Sequence, residues 1–338
     1  MGRLLAFELS QSGWAVTLYD KDNKAGKDSC AFTAAGMLAP YCEYEPSMPI
    51  ISELGIRSMR RWPEIIHQLK RDVLCEFNGS LVVAHGLDQG DLTQLEERVR
   101  KWNPSEEIMR AVSGDELDQT EPGIAPAFNR GLFFPKEGHV SNRDLLLAFE
   151  AALEGVVTWK TGEAIEFINP GDFSEDKIID CRGLGAKKEL PELRGVRGEL
   201  IYVKAPEVSL QRPVRFMHPR FPLYVVPRQD HTFVIGASEI ESEDMGPISV
   251  RSSLELLSAA YTLNPAFAEA QIISTHVNCR PAFPDNLPRI IVSDKLIRIN
   301  GLYRHGFLLG PILSTMVQQL MSDNGPEAEF ASFIQKVS

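Results

Sequence analysis

The chain has 338 residues, 43% of them hydrophobic and 24% charged, with a formal charge of −11. That length exceeds one ordinary domain of ~100–200 residues and points to two. The acidic balance argues against a nucleic-acid surface, and no uninterrupted apolar run of ~18 residues could span a membrane.

The five cysteines, Cys30, Cys42, Cys75, Cys181 and Cys279, are odd in number and form no Cys-x-x-Cys pair. This spacing suits a reducing cytoplasm better than a disulfide framework and makes zinc or any other metal unexpected. In chain order, Gly2-Arg3-Leu4-Leu5-Ala6-Phe7-Glu8-Leu9 reads as an amphipathic helix ended by Gly13. Trp14 to Asp20 follows as a strand closing on an acid. In a Rossmann βαβ unit the third fingerprint glycine opens the helix and an acid at the end of the next strand takes a ribose. Gly2 and Asp20 have that spacing, which makes Met1 an internal methionine with a strand and two further glycines expected upstream. An unrelated helix-strand pair is the plainer alternative.

The small-residue segment from Cys30 to Pro40 carries Ala34-Ala35-Gly36-Met37-Leu38, where backbone can approach a flat ligand. A tight loop with a Met core plug is the alternative. The spacing of Ile56, Met59, Trp62, Ile66, Leu69 and Val73 predicts a helix over Ser52 to Val73, with Pro63 as a kink. A strand over Gly79 to Ala84 and a charged helix over Asp91 to Trp102 follow, and Pro104 to Pro135 reads as loop-rich. Asn142 to Leu153 is a helix. Val156 to Trp159, Ala164 to Ile168 and Lys177 to Cys181 read as short strands, the last running into Arg182-Gly183-Leu184-Gly185.

From Gly195 to Ser238 the period changes to strand alternation, with Asp230-His231 as a turn, and predicts an antiparallel sheet. A helix over Ser252 to Leu263 and a strand over Gln271 to Arg280 come next. Near the C-terminus, Lys295 to Ile299 is a strand entering Asn300-Gly301-Leu302-Tyr303-Arg304-His305-Gly306, and Phe307 to Met321 has helical spacing. Arg304 therefore stands at a strand-to-helix junction, able to fork two hydrogen bonds onto a carboxylate beside helix-opening amides that suit a negative oxygen. A solvent-facing Arg in an ordinary βα turn is the alternative.

Six segments occur in one order: Ala34 to Pro40, Arg197-Gly198-Glu199, Tyr224-Val225-Val226-Pro227-Arg228, Ile235-Gly236-Ala237, Cys279-Arg280-Pro281 and Gly301 to Gly306. In these the chain resembles the glycine oxidases, flavoenzymes of the D-amino-acid oxidase family associated with thiamine biosynthesis. The resemblance implies an α/β plus α+β fold: a Rossmann-like FAD-binding domain (1–75, 138–190 and 271–338) interleaved with an antiparallel-sheet substrate domain (76–137 and 191–270). It implies FAD, a small amino-acid substrate and dioxygen, no nucleic acid and no membrane, and leaves a homo-oligomer open. The implied reaction is oxidation of glycine or a similar small amine to an imine. Water then gives glyoxylate and ammonia, and dioxygen reoxidises the flavin with release of peroxide.

Carried over by position, Arg280 and Arg304 match the arginines at the substrate carboxylate, Tyr224 the active-site tyrosine and Met37 the methionine close to the flavin. Cofactor positions are matched by Gly2, Asp20, Lys21, Cys30, Ala31, Ala35, Gly36, Met37 and Ala164, and by Leu302, Tyr303, Arg304, His305, Gly306, Phe307 and Leu308. Two departures stand on the pocket wall: Pro222, where some members have His, and Glu239, where some have Met. An anionic Glu239 at the pocket mouth would disfavour acidic substrates. Lacking the upstream glycines, the chain as it stands is expected to hold FAD weakly or not at all. A sarcosine or broader D-amino-acid oxidase is the rival reading within enzymes, and a flavin-poor binding remnant the rival from another class.

Overall fold

A computed structural model describes residues 1–45, 48–124, 126–218, 223–322, 325 and 333–336. Its backbone is the Arg194–Lys204 strand, whose residues 195–203 are all buried, the mark of a strand covered on both faces. One edge pairs antiparallel with Thr232–Gly236 and bridges Ile240–Glu241, and the other pairs with Gln271–Ala282 along its whole length. From Thr232–Gly236 the sheet continues through Leu223–Pro227, Val214–Met217, Ser80–Ala84 and Arg130–Phe134 to Arg110–Ser113. The Val250–Leu263 helix packs on this sheet through Leu256, Ala259, Ala260 and Leu263, which share a core with Ile201, Phe233 and Ile235.

Parallel pairing forms the other half. Thr17–Asp20 pairs with Thr158–Thr161, and separately Leu296–Asn300 pairs with Ile178–Asp180. Among the described residues these two parallel pairs belong to different sheets. The start of the Gly2–Gln11 helix lies between them: a Cβ on Gly2 would sit 3.7 Å from Cys181 Cβ and 4.0 Å from Leu18 Cδ1. The helix buries Leu4, Phe7 and Leu9 against Asn142–Leu153 and Gly306–Met321. Glu8, buried beneath it, accepts from Arg61, Ser314 and Gln318. Trp62 Nε1 donates to Phe307 O at 3.0 Å and fixes the opening of the last helix.

Several sequence expectations need correction. The helix expected over 52–73 is two helices, Pro49–Met59 and Trp62–Gln68. Pro63 lies at the start of the second, where its missing N–H costs no hydrogen bond. The stretch 104–135 is less loop-rich than expected, because it holds two strands and the Asp115–Thr120 helix. Residues 164–168 alternate like a strand but pair with no strand among the described residues and carry no regular structure; Arg182 Nη1 donates to Ile165 O instead, at 2.7 Å. The small-residue segment 30–40, for which a tight loop is the alternative, contains a helical turn, Cys30–Thr33, and a short strand, Met37–Leu38.

Gly36 lies between these two elements at φ +67, where a Cβ would lie 2.0 Å from Val140 O. The close approach lets Val140 N donate to Gly36 O at 2.8 Å, which seats Met37 opposite His139. Gly36→Ala should therefore lower the chemical-denaturation midpoint, with a stability loss of roughly 1–3 kcal/mol from backbone strain alone. An unchanged midpoint would mean that this backbone crossing is not formed.

Candidate active site

One cavity of about 1350 Å³ runs between the parallel strands and the large sheet. Every candidate residue of the sequence reading lines it, including Ala164, although that residue is not on a strand. Pro222 lies outside the described residues.

One sector of the cavity is formed by the start of the first helix and the ends of strands Thr17–Asp20 and Ile178–Asp180. Asp20 Oδ1 accepts from Asp22 N at 3.1 Å, and Oδ2 lies 3.9 Å from Arg3 Nη2. Arg3 Nη1 is buried without a hydrogen-bond partner, and its guanidinium lies over the Trp159 ring. A buried orphan donor beside a carboxylate at a helix start fits the ribose and phosphate chemistry of a dinucleotide. The helix at Gly306 has no side-chain cap, and a Cβ there would meet nothing within 4 Å. Its first residues line the cavity, so unsatisfied amides are available to a partially negative edge of a bound ring. The residues present fit FAD.

The second sector holds Met37, Glu43, Tyr224, Arg280 and Arg304. Asn300-Gly301 leaves its strand, Tyr303 takes the left-handed conformation at φ +50, and Tyr303 N donates to Pro281 O at 2.9 Å. Left-handed backbone is unusual for a bulky residue and here aims two consecutive side chains into the cavity. Arg304 Nε lies 3.8 Å from Glu43 Oε2, and Nη1 lies 3.7 Å from Glu239 Oε2. Tyr303 Oη donates to the other Glu239 oxygen. Glu43 is the largest influence raising the Arg304 pKa, so the half-buried guanidinium stays charged. Burial pushes the Glu43 carboxyl up, but Arg304, Arg215, His305 and Arg280 outweigh it and hold Glu43 below its ordinary value. His305 is the reverse: burial and then Arg304 depress it to about 4, leaving a neutral ring at the helix start.

Arg280 is placed by the sheet. It pairs with Val196 across the strands, and its Nη1 donates to Ser238 O at 3.2 Å. A Cβ on Gly198 would lie 2.5 Å from Arg280 Nη2, so the Arg197-Gly198-Glu199 motif provides the space for this side chain. Its flanking residues form a buried pair at 2.7 Å, and Ser238 Oγ donates to Glu199 at 2.9 Å. Tyr224 lies close to Gly236, and burial raises its phenol pKa, opposed by Arg280.

Three contributors escaped the sequence reading: Arg3, Glu43 and the pair that holds the Glu43 loop. Glu137 Oε1 accepts from Tyr41 N and Cys42 N, both at 2.7 Å, and Ser80 donates to its other oxygen. Burial pushes the Glu137 carboxyl up to about 7. Arg215 Nη1 donates to Cys42 O at 2.6 Å. The only available signal for Glu43 was its position just after the Gly36-Met37-Leu38-Ala39-Pro40 run.

Comparison with known proteins adds the following. The profile of the FAD dependent oxidoreductase family, DAO, matches residues 1–320. A putative thiamine biosynthesis oxidoreductase ThiO of Rhizobium etli is 40% identical over 336 residues, spanning 98% of this chain and 97% of the relative. The crystal structure of glycine oxidase from Geobacillus kaustophilus matches with a TM-score of 0.83 at 22% identity, over 98% of this chain and 95% of that one. Iminodiacetate oxidase (IdaA) from Chelativorans sp. BNC1 matches with a TM-score of 0.83 at 21% identity, over 99% and 96%. These two structural likenesses speak for the fold. The family profile and the Rhizobium relative together place the chain in the DAO family: it is an FAD-dependent oxidoreductase.

Proposed function

We propose that this enzyme oxidises glycine and similarly small amino acids to the imine, which water converts to glyoxylate or another 2-oxo acid and ammonia. The observation that carries the reading is the convergence of Arg304, Arg280, Tyr224 and Met37 in the cavity that fits FAD. The name of the Geobacillus structure, glycine oxidase, supports it, and that of the Rhizobium relative suggests a place in thiamine biosynthesis. Bound FAD supplies the hydride acceptor and passes the electrons to dioxygen, giving hydrogen peroxide.

The chain's own residues supply position and charge. Arg304 forks its guanidinium onto the substrate carboxylate, and Arg280 adds a second positive charge on the same side. Tyr224 donates its hydroxyl to the carboxylate or closes the pocket beside it. Glu43 keeps the guanidinium of Arg304 oriented. Held below its ordinary pKa, Glu43 stays anionic and is a weak proton acceptor, which suits it to pairing with Arg304 rather than to taking the ammonium proton. The uncapped helix start at Gly306 and Phe307 would suit a partially negative edge of the bound cofactor.

Arg304→Lys keeps the charge and loses the planar fork. It should slow single-turnover flavin reduction by glycine at least ~10-fold while FAD stays bound, since misplacing the reacting carbon by ~1 Å can cost ~100-fold. An unchanged reduction rate and affinity would remove Arg304 from the carboxylate site. Across a panel of glycine, sarcosine, D-alanine and D-phenylalanine, kcat/KM should be greatest for the two smallest. Overlap is expected, because a hydrophobic wall separates substrates by only ~1–3 kcal/mol per methylene. Preference for D-phenylalanine over glycine would reassign the enzyme as a general D-amino-acid oxidase.

A further inference from the structure

Arg304 has a second carboxylate partner of a different kind from Glu43. Glu43 is 18% exposed and sits on the fixed loop held by Glu137 and Arg215. Glu239 is 53% exposed, and its 3.7 Å contact with Arg304 exceeds hydrogen-bond distance. Its backbone is nonetheless anchored: Ser238 N donates to Glu199 O at 3.2 Å, Ser238 O accepts from Arg280, and Ile240 pairs with Arg197. An exposed carboxylate on a fixed backbone thus stands beside the guanidinium, held by a hydrogen bond from the Tyr303 hydroxyl.

We propose that Glu239 is a specificity determinant that masks Arg304 in the free enzyme and selects monocarboxylates against dicarboxylates. The inference rests on the reading above, in which Arg304 takes the substrate carboxylate. A ligand carboxylate entering the fork displaces Glu239 from Nη1, where the distance and exposure make the ion pair weak, so that the Tyr303 hydrogen bond is the main contact that has to yield. A ligand with a second carboxylate meets Glu239 again at the cavity wall, now as a like charge. The neutral half of the choice is unaffected, because an added methyl carries no charge for Glu239 to repel.

Sarcosine and iminodiacetate form the matched test pair, since the second replaces one N-methyl hydrogen of the first by a carboxylate. On flavin-loaded enzyme, Glu239→Gln should narrow the sarcosine-to-iminodiacetate ratio of kcat/KM by about fivefold or more, chiefly through KM for iminodiacetate. Acetate, titrated by its perturbation of flavin absorbance, should bind more tightly to Glu239→Gln and also to Tyr303→Phe, which frees the carboxylate from its tether. An unchanged substrate ratio with unchanged acetate affinity in both variants would overturn the proposal. Arg304→Lys separates the two levels of inference. If it leaves acetate binding intact, the carboxylate site itself is misplaced. If it weakens acetate while Glu239→Gln changes neither readout, only the masking role fails.

Discussion

A half-buried guanidinium in a cavity wall needs compensating charge, and the way Arg304 obtains it organises this molecule. A buried cation left alone would be strongly unfavourable. Arg304 is instead flanked by Glu43 at 3.8 Å and Glu239 at 3.7 Å, with its Nε left without a hydrogen-bond partner. Neither contact is a close fork. The guanidinium is therefore charged and held near its place, yet retains donors for an incoming carboxylate. That combination suits a site that must bind an anion transiently.

The surrounding architecture supports this arrangement at some distance. Arg304 depends on a left-handed Tyr303 and on the helix that Trp62 pins at Phe307. Glu43 depends on a loop whose two preceding amides are held by the buried Glu137, and whose Cys42 carbonyl is held by Arg215. Arg280 depends on the bare backbone of Gly198 and on the Arg197–Glu199 pair behind it. Elements from four widely separated stretches of sequence converge on one cavity, and each uses a backbone feature as well as a side chain. Precision of this kind costs conformational freedom, and the core beneath it, from Leu5 and Leu9 to Leu309, Leu313 and Met316, provides the stability that offsets it.

Much of this was legible in the sequence where pattern and environment agree. The Asn142–Leu153 helix has a full apolar stripe, and its bounds follow from periodicity. The strands around 194–236 alternate or run apolar in a length that only a sheet accommodates, and the Arg304 junction was visible as a strand, a glycine turn and a helical stripe. Residues 164–168 mislead because alternation describes a strand's side chains but not its partner; Phe167 is 59% exposed, and among the described residues no strand completes a ladder with them. Arg110–Ser113 and Asp115–Thr120 are too short and too polar to rise above their turn residues. Single acids such as Glu43 and Glu137 look like solvated charges until tertiary structure buries the second and sets the first in the cavity wall, and Arg3 looks like part of a polar helix face. Periodicity cannot reveal what a lone ionisable group will meet.

The central claim is that Arg304 receives the substrate carboxylate inside the FAD-fitting cavity. A crystal structure of the flavin-loaded enzyme with glycolate, which keeps the carboxylate of glycine and replaces its amine by a hydroxyl, tests this most directly. The account predicts the glycolate carboxylate in the fork of Arg304, with Arg280 and Tyr224 on the same side and Glu239 turned away. Glycolate bound elsewhere in the cavity, with Arg304 still facing both Glu43 and Glu239, would contradict it.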